Sequence, residues 1–344
     1  MNMKIAIAIL FSVLLLAQSF QNGLCQTGTK HFIFFSRDRE NIHDSPFYSN
    51  PGVSGAQITY PWKRLEPWKD HYDFSEIEED LNFLNSKGKK LFIQLQDVTF
   101  DSVRYAVPNY ILTDSSYHGG ADPQYDFIDD NEDKAVKAGW VSRRWDPAVA
   151  ERFHKLLIAL GQKFNGKIEG INLSETAVAF GEKGKLFPNG FTYENYRDAI
   201  KENMKVLKQA FPNSTAILYA NFMYEHGVSK SNLTDLYNYA KEIGIGMGGP
   251  DIKVYRKYQM ENSYPLIRDL NGIVPTGVAV QHGNYEIINP KTGKQVTVPE
   301  ILDFAENYLR LNYIFWFIQE PYYSQQVLPQ LKSLKKYCEK NRFH

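Results

Sequence analysis

Gly55-Ala-Gln-Ile-Thr-Tyr60, then Asp73-Phe-Ser75-Glu-Ile-Glu-Glu79, then Lys90-Leu-Phe-Ile-Gln-Leu-Gln96 follow one another along the chain, and their order decides the fold. The first and third are short and largely apolar or β-branched, as strands covered on both faces are. The middle one opens a helix. Polar capping residues and acidic first-turn charges precede Ile77, Leu81 and Leu84, which recur at helical spacing, and Gly88 closes the run. Strand, helix, strand is the unit of a parallel sheet, because parallel neighbours need a crossover connection.

The alternation continues in both directions. Strand-like runs occupy residues 31–35, 55–60, 90–96, 167–173, 215–220, 245–247, 276–281 and 313–318. Asp146-Pro147 sets an N-cap before a proline at the first helical position, followed by Val149, Phe153, Leu156 and Leu160. Thr192-Tyr-Glu-Asn opens another helix, Pro299-Glu-Ile-Leu the seventh, and a last one runs from about Ser324 to Asn341. Only the link across residues 36–55 lacks a helical period, so a loop or short irregular helix is expected there. Eight strands with crossover helices predict a single-domain (β/α)8 TIM barrel. The rival, a doubly wound open sheet, calls for a glycine-rich phosphate turn after its first strand. Phe35-Ser-Arg-Asp-Arg39 is nothing like one. Gly246-Met-Gly248-Gly249 is read as close backbone packing just after the sixth strand. Residues 98–144 break the rhythm with Pro108, Gly119-Gly120, Pro123 and an acidic run, predicting a long loop over the active face.

Residues 1–25 read as a secretory leader, with an apolar run from Ile5 to Leu16 too short to span a bilayer, which leaves residues 26–344 as the barrel and an exported product. Leu24 is a poor residue to precede a lipidated Cys25, so a lipoprotein anchor is not favoured. Cys25 and Cys338 alone build neither a disulfide framework nor a cysteine metal site. Lys+Arg and Asp+Glu number 39 each, so no global field draws in nucleic acid. No two-His helical spacing and no Gly-x-Ser-x-Gly elbow occurs, so neither a metal, a cofactor nor a serine nucleophile is called for.

Gly52-Val-Ser-Gly-Ala-Gln-Ile-Thr-Tyr-Pro-Trp62-Lys-Arg-Leu-Glu66-Pro67, with Tyr72-Asp73-Phe74-Ser75, resembles the second strand and loop of clan-A glycoside hydrolases, the retaining (β/α)8 enzymes that include beta-galactosidases and cellulases. The resemblance implies a general acid/base Glu at the end of strand four and a nucleophile Glu at the end of strand seven. Glu175 stands where the former belongs, although the Asn that usually precedes it directly is here Asn172. Strand seven departs: Gly277-Val-Ala-Val-Gln281-His-Gly283 carries Gln281 in the nucleophile's place, and an amide cannot form a glycosyl ester.

Glycoside cleavage needs two carboxyl groups about the bond. Glu175 is the expected acid. For its partner, Glu320, Asp251 and Glu286 all follow strand C-terminal ends, and Glu320, close behind Trp316, is preferred. Gln94, Gln96, Asp97, Tyr219 and Asn221 form a rim suited to sugar hydroxyls, with Asn172, Gln281 and His282 beside it. Trp62 and Trp316 are the expected stacking platforms, and Trp145 is read as packing. A polysaccharide lyase or other sugar-active enzyme would need a base and a charge neutraliser, and no Lys/Arg cluster commits to uronic acid substrates. The expectation is a glycoside hydrolase, with an inverting reaction if Gln281 truly replaces the nucleophile. The alternative is a carbohydrate-binding barrel that has lost catalysis.

Overall fold

Eight parallel strands close on themselves in the computed structural model, which describes residues 28–44, 46–223 and 231–341, the side chains of Asp130 and of residues 335–341 excepted. The leader, with Cys25, lies outside the described residues. The strands are β1 (Lys30–Phe34), β2 (Gly55–Pro61), β3 (Lys90–Gln96), β4 (Gly170–Leu173), β5 (Thr215–Tyr219), β6 (Gly246–Gly249), β7 (Thr276–Val280) and β8 (Tyr313–Phe317). Closure is made by β1 and β8, which pair in parallel with His31 opposite Ile314 and Ile33 opposite Trp316. All eight expected runs become strands, with no end shifted by more than three residues.

Side chains alternate along each strand, and the two faces fill differently. Phe32 of β1, Phe92 of β3 and Phe315 of β8 meet although β1 and β3 are not neighbours, so they fill the barrel interior. Phe92 and Phe315 lie edge-to-face at 4.8 Å, a favoured aromatic arrangement. Gly170 makes room for that cluster, since a Cβ there would sit 2.5 Å from the Phe92 ring. Gly248 admits the neighbouring strand: a Cβ would lie 1.7 Å from the Gly277 carbonyl oxygen. The glycine run therefore packs backbone on backbone as expected, but it is β6 itself and does not follow it.

The outer faces bury against helices. Ser75–Ser86 contributes Ile77, Leu81 and Leu84, and Gly88, at φ 66°, ends that turn. Pro147–Phe164 starts from Asp146, whose carboxylate accepts from the amides of Ala148 and Val149. Tyr193–Ala210 opens with a reciprocal cap between Thr192 and Asn195, and Val298–Asp303 with one between Thr297 and Glu300. The first link carries two short 3-10 turns, Arg39–Ile42 and Pro46–Ser49. The long segment after β3 holds a small antiparallel sheet of its own, Val98–Thr99, Ala135–Ser142 and Ala121–Phe127 in that order. No helix among the described residues is long and apolar enough to cross a membrane.

The Leu-Glu-Pro turn is explained by packing. Glu66 is fully buried, accepts from the Trp62 indole at 2.8 Å and is ion-paired with Arg152 of the Pro147–Phe164 helix. Leaving either of these charges alone in the interior would cost about 3–5 kcal/mol.

Candidate active site

Main chain at the end of β4 is clamped from three sides. Ser174 Oγ donates to the Leu95 carbonyl at 3.0 Å, tying β4 to β3, and the Thr176 amide donates to the Tyr219 carbonyl at 3.0 Å, tying it to β5. Arg144 Nη1 donates to the Glu175 carbonyl at 3.0 Å and to the Tyr196 hydroxyl at 2.7 Å, and that hydroxyl donates to the Thr176 carbonyl. Asp97 grips Arg144 through two bonds of 2.7 Å and accepts from Ser142 at 2.5 Å. Burial pushes the Asp97 carboxyl up, but the Arg144 charge and these donors outweigh it and hold it below the usual range. Two-point pairing of this kind fixes direction as well as charge. The backbone that carries Glu175 is thus preorganised by a buried ion pair.

The Glu175 carboxyl itself meets little compensation. Asn221 Nδ2 donates to Oε2 at 2.5 Å, and the Asn221 carbonyl oxygen accepts from the Phe222 amide, which orients the amide group. Water reaches part of the side chain, yet protein surrounds the carboxyl on nearly every side, and that surrounding governs its solvation. Burial, with a smaller push from the negative charge of Asp251, raises its pKa to about 7 against the opposing effects of Asn221, Arg144 and Lys253. A carboxylic acid in that range holds its proton near neutrality and can surrender it, as general acid catalysis requires.

Asp251 emerges just past β6. Its Oδ1 accepts from Asn284 Nδ2 at 2.9 Å, and its Oδ2 pairs with Lys253 at 3.3 Å. Asn284 in turn accepts from the amides of Ile252 and Gln281, bridging the exits of β6 and β7. Two carboxyl groups thus stand in electrostatic contact, Glu175 deprived of solvent and Asp251 held by a cation and an amide.

The remaining expected residues divide. Gln281 directly follows β7, its backbone anchored by Asn284 and its side chain partly exposed. His282 is exposed beside Phe317. Gln94 accepts from Thr59 at 2.6 Å. Asn172 is fully buried and accepts from Gln57, which also donates to the Tyr219 hydroxyl, so these three floor the mouth and are not free to meet a ligand. Glu286 takes the Gln319 amide at 2.7 Å. Glu320 is exposed, and its carboxylate accepts from the Ser324 amide and hydroxyl at the start of the last helical segment.

Both tryptophan expectations fail. Trp62 and Trp316 are fully buried, the first against Phe153 and the second with its indole nitrogen 3.3 Å from His31, so neither offers a face to a sugar ring. Trp145 packs among Phe180, Phe191 and Tyr196, as expected. Arg144, Lys253 and Asn284 were not singled out in the sequence, where nothing distinguishes an arginine before a helix cap from a surface one. Among the described residues no group of acidic, His or Cys side chains could hold a metal ion.

No family model matches the chain, and no curated protein matches its sequence. Solved structures do. A beta-galactosidase from Bacillus circulans sp. alkalophilus superposes with a TM-score of 0.54 at 10% identity, over 85% of this chain and 50% of that one. This chain therefore spans about half of the galactosidase. Xylanase 10B from Thermotoga petrophila RKU-1, solved with xylobiose, superposes with a TM-score of 0.52 at 13% identity, over 91% of this chain and 95% of its own. At these identities the likeness is one of architecture: the chain has the (β/α)8 barrel fold shared by this galactosidase and this xylanase.

Proposed function

We propose that the protein is an exported glycoside hydrolase in which Glu175 is the general acid and Asp251 its partner carboxylate. One observation carries the reading: a clamped, desolvated Glu175 at the barrel's C-terminal mouth, with its pKa raised to about 7 and Asp251 within electrostatic reach. Asp251 replaces Glu320, whose carboxylate is exposed and occupied in capping Ser324. Glu175 delivers its proton to the leaving glycosidic oxygen, while Asp251 accepts a proton from the water that attacks the anomeric carbon. Asn221 holds the Glu175 carboxyl in place, and Gln281 is available for a sugar hydroxyl. A partner that reaches from β6, with an amide at the end of β7, favours the wider carboxylate separation of inverting enzymes, about 6.5–9.5 Å.

Gln281 also favours a second reading, a carbohydrate-binding barrel without turnover. Replacing Glu175 by Gln separates the two. In the hydrolase it abolishes release of reducing sugar while oligosaccharide affinity stays within a few-fold. A wild-type protein that binds sugars and releases none from any substrate, with the same affinity in the Gln variant, leaves the binding reading alone standing.

A further inference from the structure

A cavity opens at the C-terminal ends of β2 and β3, the side of the barrel next to β4. It encloses about 300 Å³, and Thr59, Gln96, Tyr105 and the cationic side chains of Arg37, Lys63 and Arg104 line it. Two further arginines on its wall are already neutralised. Arg39 forks onto Asp80 at 2.8–2.9 Å and reaches Glu79, and Arg64 pairs with Glu76. Arg104 is partly offset by Asp101 at 3.3 Å, and Glu40 also faces the cavity. Arg37 and Lys63 have no carboxylate partner among the described residues. Lys63 responds accordingly: burial and the charges of Arg37, Arg104 and Arg64 lower its pKa, while Asp101 opposes them only weakly.

One other observation points to a ligand. Tyr105 presents a ring backed by Trp140 at 4.2 Å, a rigid apolar wall of the kind that packs on a sugar's CH face. These residues come from the β1 exit, the β2 exit, the end of β3 and the inserted segment, so no stretch of sequence displays them together. Of the strands that end at the cavity, β3 is the direct neighbour of β4, beyond whose end Glu175 stands.

We propose that this cavity is a subsite for an anionic sugar, its carboxylate or sulfate ester held by Arg37, Lys63 and Arg104 and its ring packed on Tyr105. The substrate is then an acidic oligosaccharide, a refinement that rests on the hydrolase reading above.

Calorimetric titration of the intact Glu175→Gln protein tests it without turnover. The probes are matched oligosaccharides that are neutral, uronate-bearing or sulfated. At least one anionic series should bind ten-fold or more tightly than its neutral counterpart, with an affinity that falls as salt rises; the tighter series identifies the anion. The Arg37→Met/Lys63→Met double variant should lose that ten-fold preference and leave neutral ligands unchanged. Milder single variants, Arg37→Gln and Lys63→Gln, are read in the same way should the double variant not fold. Equal affinity for neutral and anionic sugars, equal losses for both, or no binding of any probe overturns the proposal. Anion preference without hydrolysis by the wild type would sink the hydrolase reading and keep the subsite; hydrolysis of neutral sugars alone would do the reverse.

Discussion

Replacing Glu175 by Gln should change how stability depends on pH, in a direction the burial of the carboxyl fixes. Its folded pKa is raised from the ordinary value of 4.5 to about 7. Below the unfolded value both states are protonated, and the group imposes no charge on the interior. Between the two values the unfolded chain releases its proton and the folded one retains it, so stability falls with rising pH. Above about 7 both are ionised, and the folded protein bears the full cost of a carboxylate short of solvent. The shift of about 2.5 units at 1.36 kcal/mol each gives roughly 3 kcal/mol, and nearer 2 once the water that reaches the side chain is allowed for. Glutamine keeps the acceptor that Asn221 needs and carries no charge. Urea unfolding of both proteins from pH 4 to pH 8.5 isolates the effect, because titrating groups that do not interact with Glu175 cancel in the difference. The Gln variant should match the wild type near pH 4 and become about 2–3 kcal/mol more stable above about pH 7.5. A constant difference across that range would show that Glu175 is solvated normally and is no candidate for a neutral-pH acid.

Three other outcomes follow from the site. Asp251→Asn should abolish turnover and, by removing the charge that raises Glu175, move the alkaline limb of the pH–rate profile to lower pH in whatever residual activity remains; an unmoved limb on that variant contradicts their coupling. Glu320→Gln, at an exposed cap, should leave kcat/KM within two-fold and stability within about 0.5 kcal/mol, and a large loss of kcat there would restore it as the partner. Asp97→Asn strands Arg144 in the interior and should cost about 3–5 kcal/mol in urea melts, with kcat falling more than KM rises as the Glu175 main chain loosens. Proton NMR of the first product should show the inverted anomer, whereas net retention would reveal a short-range nucleophile.

The barrel was legible because both faces of its strands are covered, so the runs stood out as apolar stretches between helix starts with recognisable caps. The place of Glu175 was legible for a related reason: a carboxylate two residues past such a run stands at its C-terminal end. The tryptophans misled because aromatic character at a strand end says nothing about direction. Strand alternation holds the answer, since Phe315 and Phe317 point inward in β8 and Trp316 between them must face the helices. Glu320 and Asp251 look alike in sequence, and only the fold shows one capping Ser324 and the other bonded to Asn284. The cationic cavity was invisible for a different reason. Arg37, Lys63 and Arg104 are far apart along the chain and converge only when β1 and β2 close and the inserted segment folds back.

The claim that Glu175 donates the proton is tested most directly by leaving-group dependence. Turnover of wild type and Glu175→Gln is compared on sugar glycosides, whose leaving oxygen needs protonation, and on dinitrophenyl glycosides of the same sugar, whose leaving group departs unaided. A loss of about 10²–10⁴ is expected on the former and less than ten-fold on the latter. Equal losses on both substrates would contradict it and remove Glu175 from the role of general acid.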